Sequence, residues 1–193
     1  MSAVRVLAFA GSLRKGSYNK KLAKQFAAAA ERAGAQVTVL DLADYPMPIF
    51  DEDVEAEQFP ERAAAFKEQL RRHDAFIIAC PEYNSSITAA LKNAIDWASR
   101  KTTDDEAPLE AFKGKVVALA AASPGGFGGL RGLVPVRMLL GNIGCLVLPQ
   151  QLAIPHVQKV MAEDGSIGEE AIQKQVDSIA QALVDTATHQ RAG

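Results

Sequence analysis

Apolar positions along this chain recur in two alternating rhythms. Short runs dense in aliphatic residues are separated by longer stretches where apolar residues return every three or four positions. Residues 4–10 (Val-Arg-Val-Leu-Ala-Phe-Ala) read as a buried strand, nearly continuous in apolar side chains, as in the interior of a parallel sheet. Leu22, Phe26 and Ala30 then repeat at i, i+4 and i+8, predicting a helix that Gly34 is placed to end. Residues 37–40 predict a second strand, a helix passes through Ala63, Phe66 and Leu70, and residues 75–79 predict a third strand. Residues 87–99 can hold a helix whose apolar side is Ala90, Leu91, Ala94, Ile95 and Ala98. A fourth strand at 116–122, a helix at 130–140 interrupted by Pro135, and a fifth strand at 145–148 follow. Ile172, Val176, Ile179 and Leu183 mark a last helix. The segment 102–110, rich in Asp and Glu, fits neither rhythm and reads as an exposed connection.

Strands alternating with helices, with no internal repeat and no Pro/Gly/Ser linker, predict one domain over residues 1–193. Its fold class is α/β: a doubly wound, five-stranded parallel sheet with helices on both faces. Ligands in such sheets bind beyond the carboxyl ends of the strands, where the strand order reverses. The loops after strands one, three and four are therefore the ones to examine.

Composition narrows the partners. At 48% hydrophobic, 23% charged and a net charge of −2, the chain is globular and offers no basic surface for nucleic acid. The apolar run 6–10 is far too short for a signal-peptide core or a membrane span, so no membrane role is expected and the chain reads as cytoplasmic. Cys80 and Cys145 form no disulfide framework and read as buried free thiols. His73, His156 and His189 lack metal-ligand spacing, so no metal site is expected; His73, at a helix end, reads as solvated or complementing the dipole.

Candidate chemistry lies in the loops. The first reads Gly11-Ser12-Leu13-Arg14-Lys15-Gly16-Ser17-Tyr18-Asn19. Helix-terminal amides, hydroxyls and a guanidinium suit an anion, although a capped strand-to-helix turn needs fewer of them. Ser17-Tyr18 stands where a nucleotide-hydrolysing P-loop needs Lys-Ser/Thr, Leu13 replaces the second glycine of a dinucleotide loop, and no cysteine is present for a phosphatase loop. A monophosphate survives these tests. The second loop, Pro81-Glu82-Tyr83-Asn84-Ser85-Ser86, suits a planar heteroaromatic with polar edges, or is simply a turn. The third, Ser123-Pro124-Gly125-Gly126-Phe127-Gly128-Gly129, permits close backbone approach to a ligand, or mobility. It is no nucleophile elbow, because Pro124 lacks the N–H that an oxyanion hole would take from that position.

Together with Leu91-Lys92-Asn93-Ala94-Ile95-Asp96-Trp97, the first loop and Pro81-Glu82-Tyr83-Asn84 resemble the NADPH-dependent FMN reductase-like family of flavodoxin-like quinone, azo-dye and chromate reductases. The resemblance implies that FMN is bound, with NADPH or NADH as co-substrate. Ser12, Arg14, Ser17 and Asn19 would hold the phosphate. Pro81, Glu82, Tyr83 and Asn84 would lie along the isoalloxazine and ribityl, with Ser123, Gly125 and Gly126 on the other side. FMN would carry hydride from NAD(P)H to a small-molecule acceptor (a quinone, an azo compound, a metal oxyanion or free flavin), so no catalytic acid or base is named. The family also implies a homodimer or homotetramer, with the helix of Lys92, Asn93, Asp96 and Trp97 at the contact, although Trp97 alone reads as packing. Thr88 stands where the family commonly has proline, which restores an N–H and would loosen the start of that helix. The rival readings are a flavodoxin-type electron carrier, for which a charge of −2 is low, and a flavin- or nucleotide-sensing regulator without turnover.

Overall fold

A computed structural model describes residues 2–192. The elements are β1 (Arg5–Ala10), α1 (Tyr18–Arg32), β2 (Gln36–Leu40), α2 (Glu52–Glu57), α3 (Glu61–Arg72) and β3 (Ala75–Ala79). There follow β4 (Glu82–Tyr83), β5 (Ser86–Ile87), α4 (Ala89–Ser99), β6 (Val116–Ala122), α5 (Leu130–Asn142), β7 (Leu146–Ile154) and α6 (Glu170–Ala192). Five strands pair in parallel in the order β2-β1-β3-β6-β7, the flavodoxin-like doubly wound arrangement, with its switch point between β1 and β3.

Successive strand side chains point to opposite faces, and the two cores follow that alternation. Val6 and Ala8 of β1 pack with Leu22 and Phe26 of α1 and Val176 and Leu183 of α6. Leu7 and Phe9 pack with Phe66 and Leu70 of α3, Leu91 and Ile95 of α4, and Leu133 and Val136 of α5. Most of the expected apolar positions are thus buried, but Val39 of β2 and Leu146 of β7, both on edge strands, are exposed. No described helix is long and apolar enough to cross a membrane.

Four features depart from the sequence expectations. Residues 82–87 form an antiparallel hairpin, so the second loop is structured and α4 begins at Ala89 rather than at Ile87. Asn84 and Ser85 both have positive φ, 51° and 64°, the geometry of a two-residue hairpin turn. β7 runs on to Ile154 because a register shift absorbs Pro149, which has no N–H to give the ladder. Helix α5 continues through Pro135 to Asn142. The carbonyl that loses its i+4 donor there belongs to exposed Arg131, where water can replace it. His73 is buried rather than solvated: Nδ1 donates to the Gln69 carbonyl at 2.6 Å, leaving Nε2 to accept from the Thr38 hydroxyl at 2.9 Å. Burial holds its pKa below the ordinary histidine value.

The acidic connection 102–110 is mostly exposed but has a buried anchor. Glu106 pairs with Lys67 of α3, both nearly inaccessible, and also accepts from the N–H and hydroxyl of Thr102, each at 2.8 Å. Lys67 also donates to the Arg100 carbonyl. Burial alone would raise the Glu106 pKa, but Lys67 and Thr102 outweigh it and hold the carboxyl below the usual range. Both thiols are buried, and burial raises both, Cys145 to about 12.

Glu106→Gln should therefore cost about 3–5 kcal/mol in urea denaturation, because it strands the Lys67 ammonium in the interior. Replacing both partners, as Lys67→Met with Glu106→Leu, should cost less than the single change. A depressed carboxyl stabilises the fold above the ordinary carboxylate range and loses that contribution as pH falls through its lower folded value. The wild type should accordingly lose stability in acid more steeply than the double variant.

Candidate functional site

The first loop leaves β1 with its backbone still bound to the sheet: Gly11 N–H donates to the Ala79 carbonyl at 2.9 Å. A Cβ at Gly11 would stand 2.8 Å from Leu91, so glycine is what lets α4 approach here. Thr88 secures that approach from the other side. Its hydroxyl donates to the Gly11 carbonyl at 2.6 Å and accepts from Leu91 N–H at 3.2 Å, capping α4. The expected loosening at Thr88 is therefore corrected: the hydroxyl ties the helix to the first loop.

Beyond Gly11, Ser12 is buried and accepts from Arg14 N–H at 3.3 Å, which leaves its own proton to donate. Ser17 occupies the N-cap position of α1 yet makes no capping bond. Asn19 is buried and committed: its amide donates to the Ala122 carbonyl at 2.9 Å and accepts from the Ala122 N–H at 3.0 Å. It clamps the start of α1 onto the end of β6. Arg14 is exposed.

On the second loop Pro81 is buried, Tyr83 is exposed, and Asn84 sits at the hairpin tip. The Glu82 carboxylate turns to α5, bonding Arg131 and Gly132 N–H. On the third loop Ser123 accepts from Gly125 N–H at 3.1 Å, again keeping its proton free. The glycines divide by role. At Gly128 (φ +62°) a Cβ would lie 2.6 Å from the Pro155 nitrogen, so this glycine serves close backbone packing rather than mobility. Gly125 and Gly126 meet no such obstacle.

Ser12, Arg14, Ser17, Asn19, Pro81, Glu82, Tyr83 and Ser123 line one cleft of about 110 Å³ at the carboxyl edge of the sheet. Tyr18, Ala122 and Pro124 complete its wall, while Asn84, Gly125 and Gly126 lie outside it. Hydroxyls with protons to give, the positive end of a helix and a guanidinium make this an anion-accepting surface, with room for a phosphate group rather than a whole nucleotide. The donor set thus fits the phosphate end of FMN.

Tyr18 and Pro124, which stand in the first and third loops, were not among the residues expected to hold the ligand. Sequence reasoning also missed the turn after β7, where Val157 N–H donates to the Ser123 carbonyl at 3.1 Å and buttresses the third loop. A larger cleft of about 360 Å³ lies on the other side of the first loop, between Leu13, Tyr45, Met47 and Ala90. It is mainly apolar, and the Asn93 amide at its edge is already bonded to Phe50 N–H and the Pro48 carbonyl. Trp97 lies in the core, edge-on to Phe50 and Phe59 with Nε1–H on the Pro48 carbonyl, so it is packing.

Comparison with known proteins bears on the family and the fold. Residues 4–159 match the family described as NADPH-dependent FMN reductase. The NAD(P)H-dependent FMN reductase PA1204 of Pseudomonas aeruginosa is 42% identical over 137 residues, 71% of this chain and 69% of that protein. A quinone reductase of Escherichia coli is 36% identical over 149 residues, 75% of this chain and 73% of that protein. Among solved structures, the flavoenzyme NAD(P)H:(acceptor) oxidoreductase FerB of Paracoccus denitrificans superposes with a TM-score of 0.79 at 29% identity, covering 97% of this chain and 99% of that one.

The Thr88 link is open to a direct test. Thr88→Val keeps the shape but leaves the Gly11 carbonyl and the Leu91 amide without their partner, both in buried surroundings. It should lower the denaturation midpoint at unchanged slope by the equivalent of about 1–3 kcal/mol, and Thr88→Ser should recover most of that. A Val variant as stable as wild type would show that this bond does not fasten the loop.

Proposed function

This chain belongs to the NADPH-dependent FMN reductase family, and from that premise we propose that it binds FMN at the carboxyl edge of its sheet and uses NADPH or NADH to reduce a quinone. The observation carrying this reading is the polar cleft into which the strand-end loops bring Ser12, Arg14, Ser17 and Ser123. Quinone is preferred as acceptor because relatives at 36–38% identity are named quinone reductases. Azo compounds, metal oxyanions and free flavin are the acceptors to assay beside it.

In this reading the first-turn amides of α1, the Ser17 hydroxyl and Arg14 hold the phosphate, with Ser12 giving its proton to a phosphate oxygen. Asn19 acts with them by holding the α1 terminus on Ala122. Pro81, Tyr83 and Asn84 border the ring and ribityl, Glu82 contributing its main chain because its carboxylate is bonded to α5. Ser123 offers its hydroxyl from the opposite side, and Gly125 and Gly126 leave that side open to a flat ligand. When bound, FMN would supply the two-electron redox chemistry between NAD(P)H and the acceptor. Among the described residues that line the cleft the one carboxylate, Glu82, is paired with Arg131, and we name no catalytic acid or base.

We also propose a homodimer or homotetramer. Tyr83 and Phe127 are both more than half exposed beside the cleft, and a site that excludes water needs a further wall. Light scattering should give a multiple of 20.6 kDa; a fully active monomer would overturn this.

Two measurements test the central reading. Purified protein given FMN should quench or shift the flavin spectrum and bleach anaerobically on NAD(P)H without a partner protein; binding without bleaching would restore the electron-carrier reading. Arg14→Ala should weaken FMN by roughly 10- to 150-fold, the worth of a charge-assisted bond of about 1.5–3 kcal/mol, while leaving riboflavin nearly untouched. Equal losses for both flavins would remove the phosphate assignment.

A further inference from the structure

Helix α5 starts without the usual means of satisfying its first amides. Its N-cap position is Gly129, left-handed at φ +90° and with no side chain to accept a hydrogen bond. The acceptor comes from another element. Glu82 of β4 places one carboxylate oxygen 3.2 Å from Gly132 N–H, while the other accepts from Arg131 Nε at 2.8 Å. The same oxygen lies 2.6 Å from the Arg131 terminal nitrogen. Its charge also meets the positive end of the helix.

Packing follows the same line. A Cβ at Gly132 would stand 3.2 Å from the Glu82 Cβ and 3.3 Å from the Ser86 carbonyl, so the hairpin rests directly on the helix backbone. The Arg131 guanidinium in turn lies 4.7 Å from the centre of the Phe127 ring, on the third loop. One arginine therefore touches both loops that flank the ring side of the cleft.

We infer that Glu82 and Arg131 form a clasp that holds the Tyr83–Asn84 hairpin against the glycine-rich loop and so sets the ring side of the flavin site. The flavin part of this inference rests on the proposed FMN reading. Both residues are positioning residues: the Glu82 carboxylate is spent on α5 and acts through the hairpin it anchors.

The test compares Arg131→Ala, Glu82→Ala, the double variant and Arg131→Lys. Each alanine change should weaken riboflavin and FMN alike by about tenfold, the equivalent of a 1.4 kcal/mol coupling, whereas a phosphate contact would affect FMN alone. The double variant should bind more tightly than the product of the two single losses implies, because both changes remove the shared Glu82–Arg131 contact. Arg131→Lys, keeping the charge but not the fork, should recover part of the loss. Amide hydrogen exchange without flavin should quicken in residues 82–87 and 130–133 and stay unchanged in β1 and β3, which separates a local clasp from general destabilisation. Additive losses, unchanged riboflavin affinity in Arg131→Ala, or quickened exchange throughout the sheet would each overturn the clasp. If the wild type binds neither flavin, the FMN reading fails on its own, and the exchange pattern still decides whether Glu82 and Arg131 join the loops.

Discussion

At the carboxyl edge of a parallel sheet the ladder ends, and buried backbone groups there must find partners outside it. In this chain that requirement binds the functional loops to one another. Gly11, Cys80 and Ser123 each extend the ladder past a strand end, donating to Ala79, Ala120 and Ile154. Both backbone groups of Ala122 are then met by the Asn19 amide, and the Gly11 carbonyl by the Thr88 hydroxyl. Leaving such a group unmet costs about 1–3 kcal/mol, so these bonds are few but decisive. The start of α1 sits over the end of β6 because Asn19 must reach it. The anion-accepting surface is assembled by the same bonds that close the sheet.

Whatever repeats with a period was legible beforehand. The nearly continuous apolar run of β1 marked a strand buried on both faces, and the helical series through Leu22 and Val176 marked helices packed on the sheet, because burial of a helix stripe forces that spacing. Features too short to show a period were hidden. The hairpin has two residues per strand, and its turn residues, Asn84 and Ser85, lack the glycine that usually marks such a turn. β7 disguises its second half with Pro149, Gln150 and Gln151, as an edge strand with a register shift can. Glu106 looked like one more surface acid because its burial depends on Lys67, far back along the chain.

The site divides in the same way. Residue types alone pointed to an anion at the first loop, and the first-loop candidates do share one cleft. They could not say whether a side chain faces the ligand or its own scaffold. Asn19 and Glu82 carry good ligand chemistry, yet both spend their polar atoms on protein backbone. Thr88 shows the converse: a departure from a family pattern that brings its own bonds, a hydroxyl replacing the rigidity of a ring.

The electrostatics of the cleft follow from which cations are already engaged. Lys20 pairs with Asp41 at 2.7 Å and Lys21 lies over the Tyr18 ring, and neither lysine lines the cleft. Arg14 is the one cation that lines the cleft among the described residues. A helix terminus contributes about 0.3–1 kcal/mol toward an exposed anion and up to about 2 when partly buried, comparable to a single charge-assisted bond. Neither source dominates, and hydroxyls at Ser12 and Ser17 add donors whose strength does not depend on ionic screening as an exposed guanidinium's does. In the proposed reading, a phosphate here would be held by many moderate interactions fixed in direction by the fold. That arrangement suits a resident group, because its geometry is set by strand ends and a helix terminus rather than by one mobile side chain.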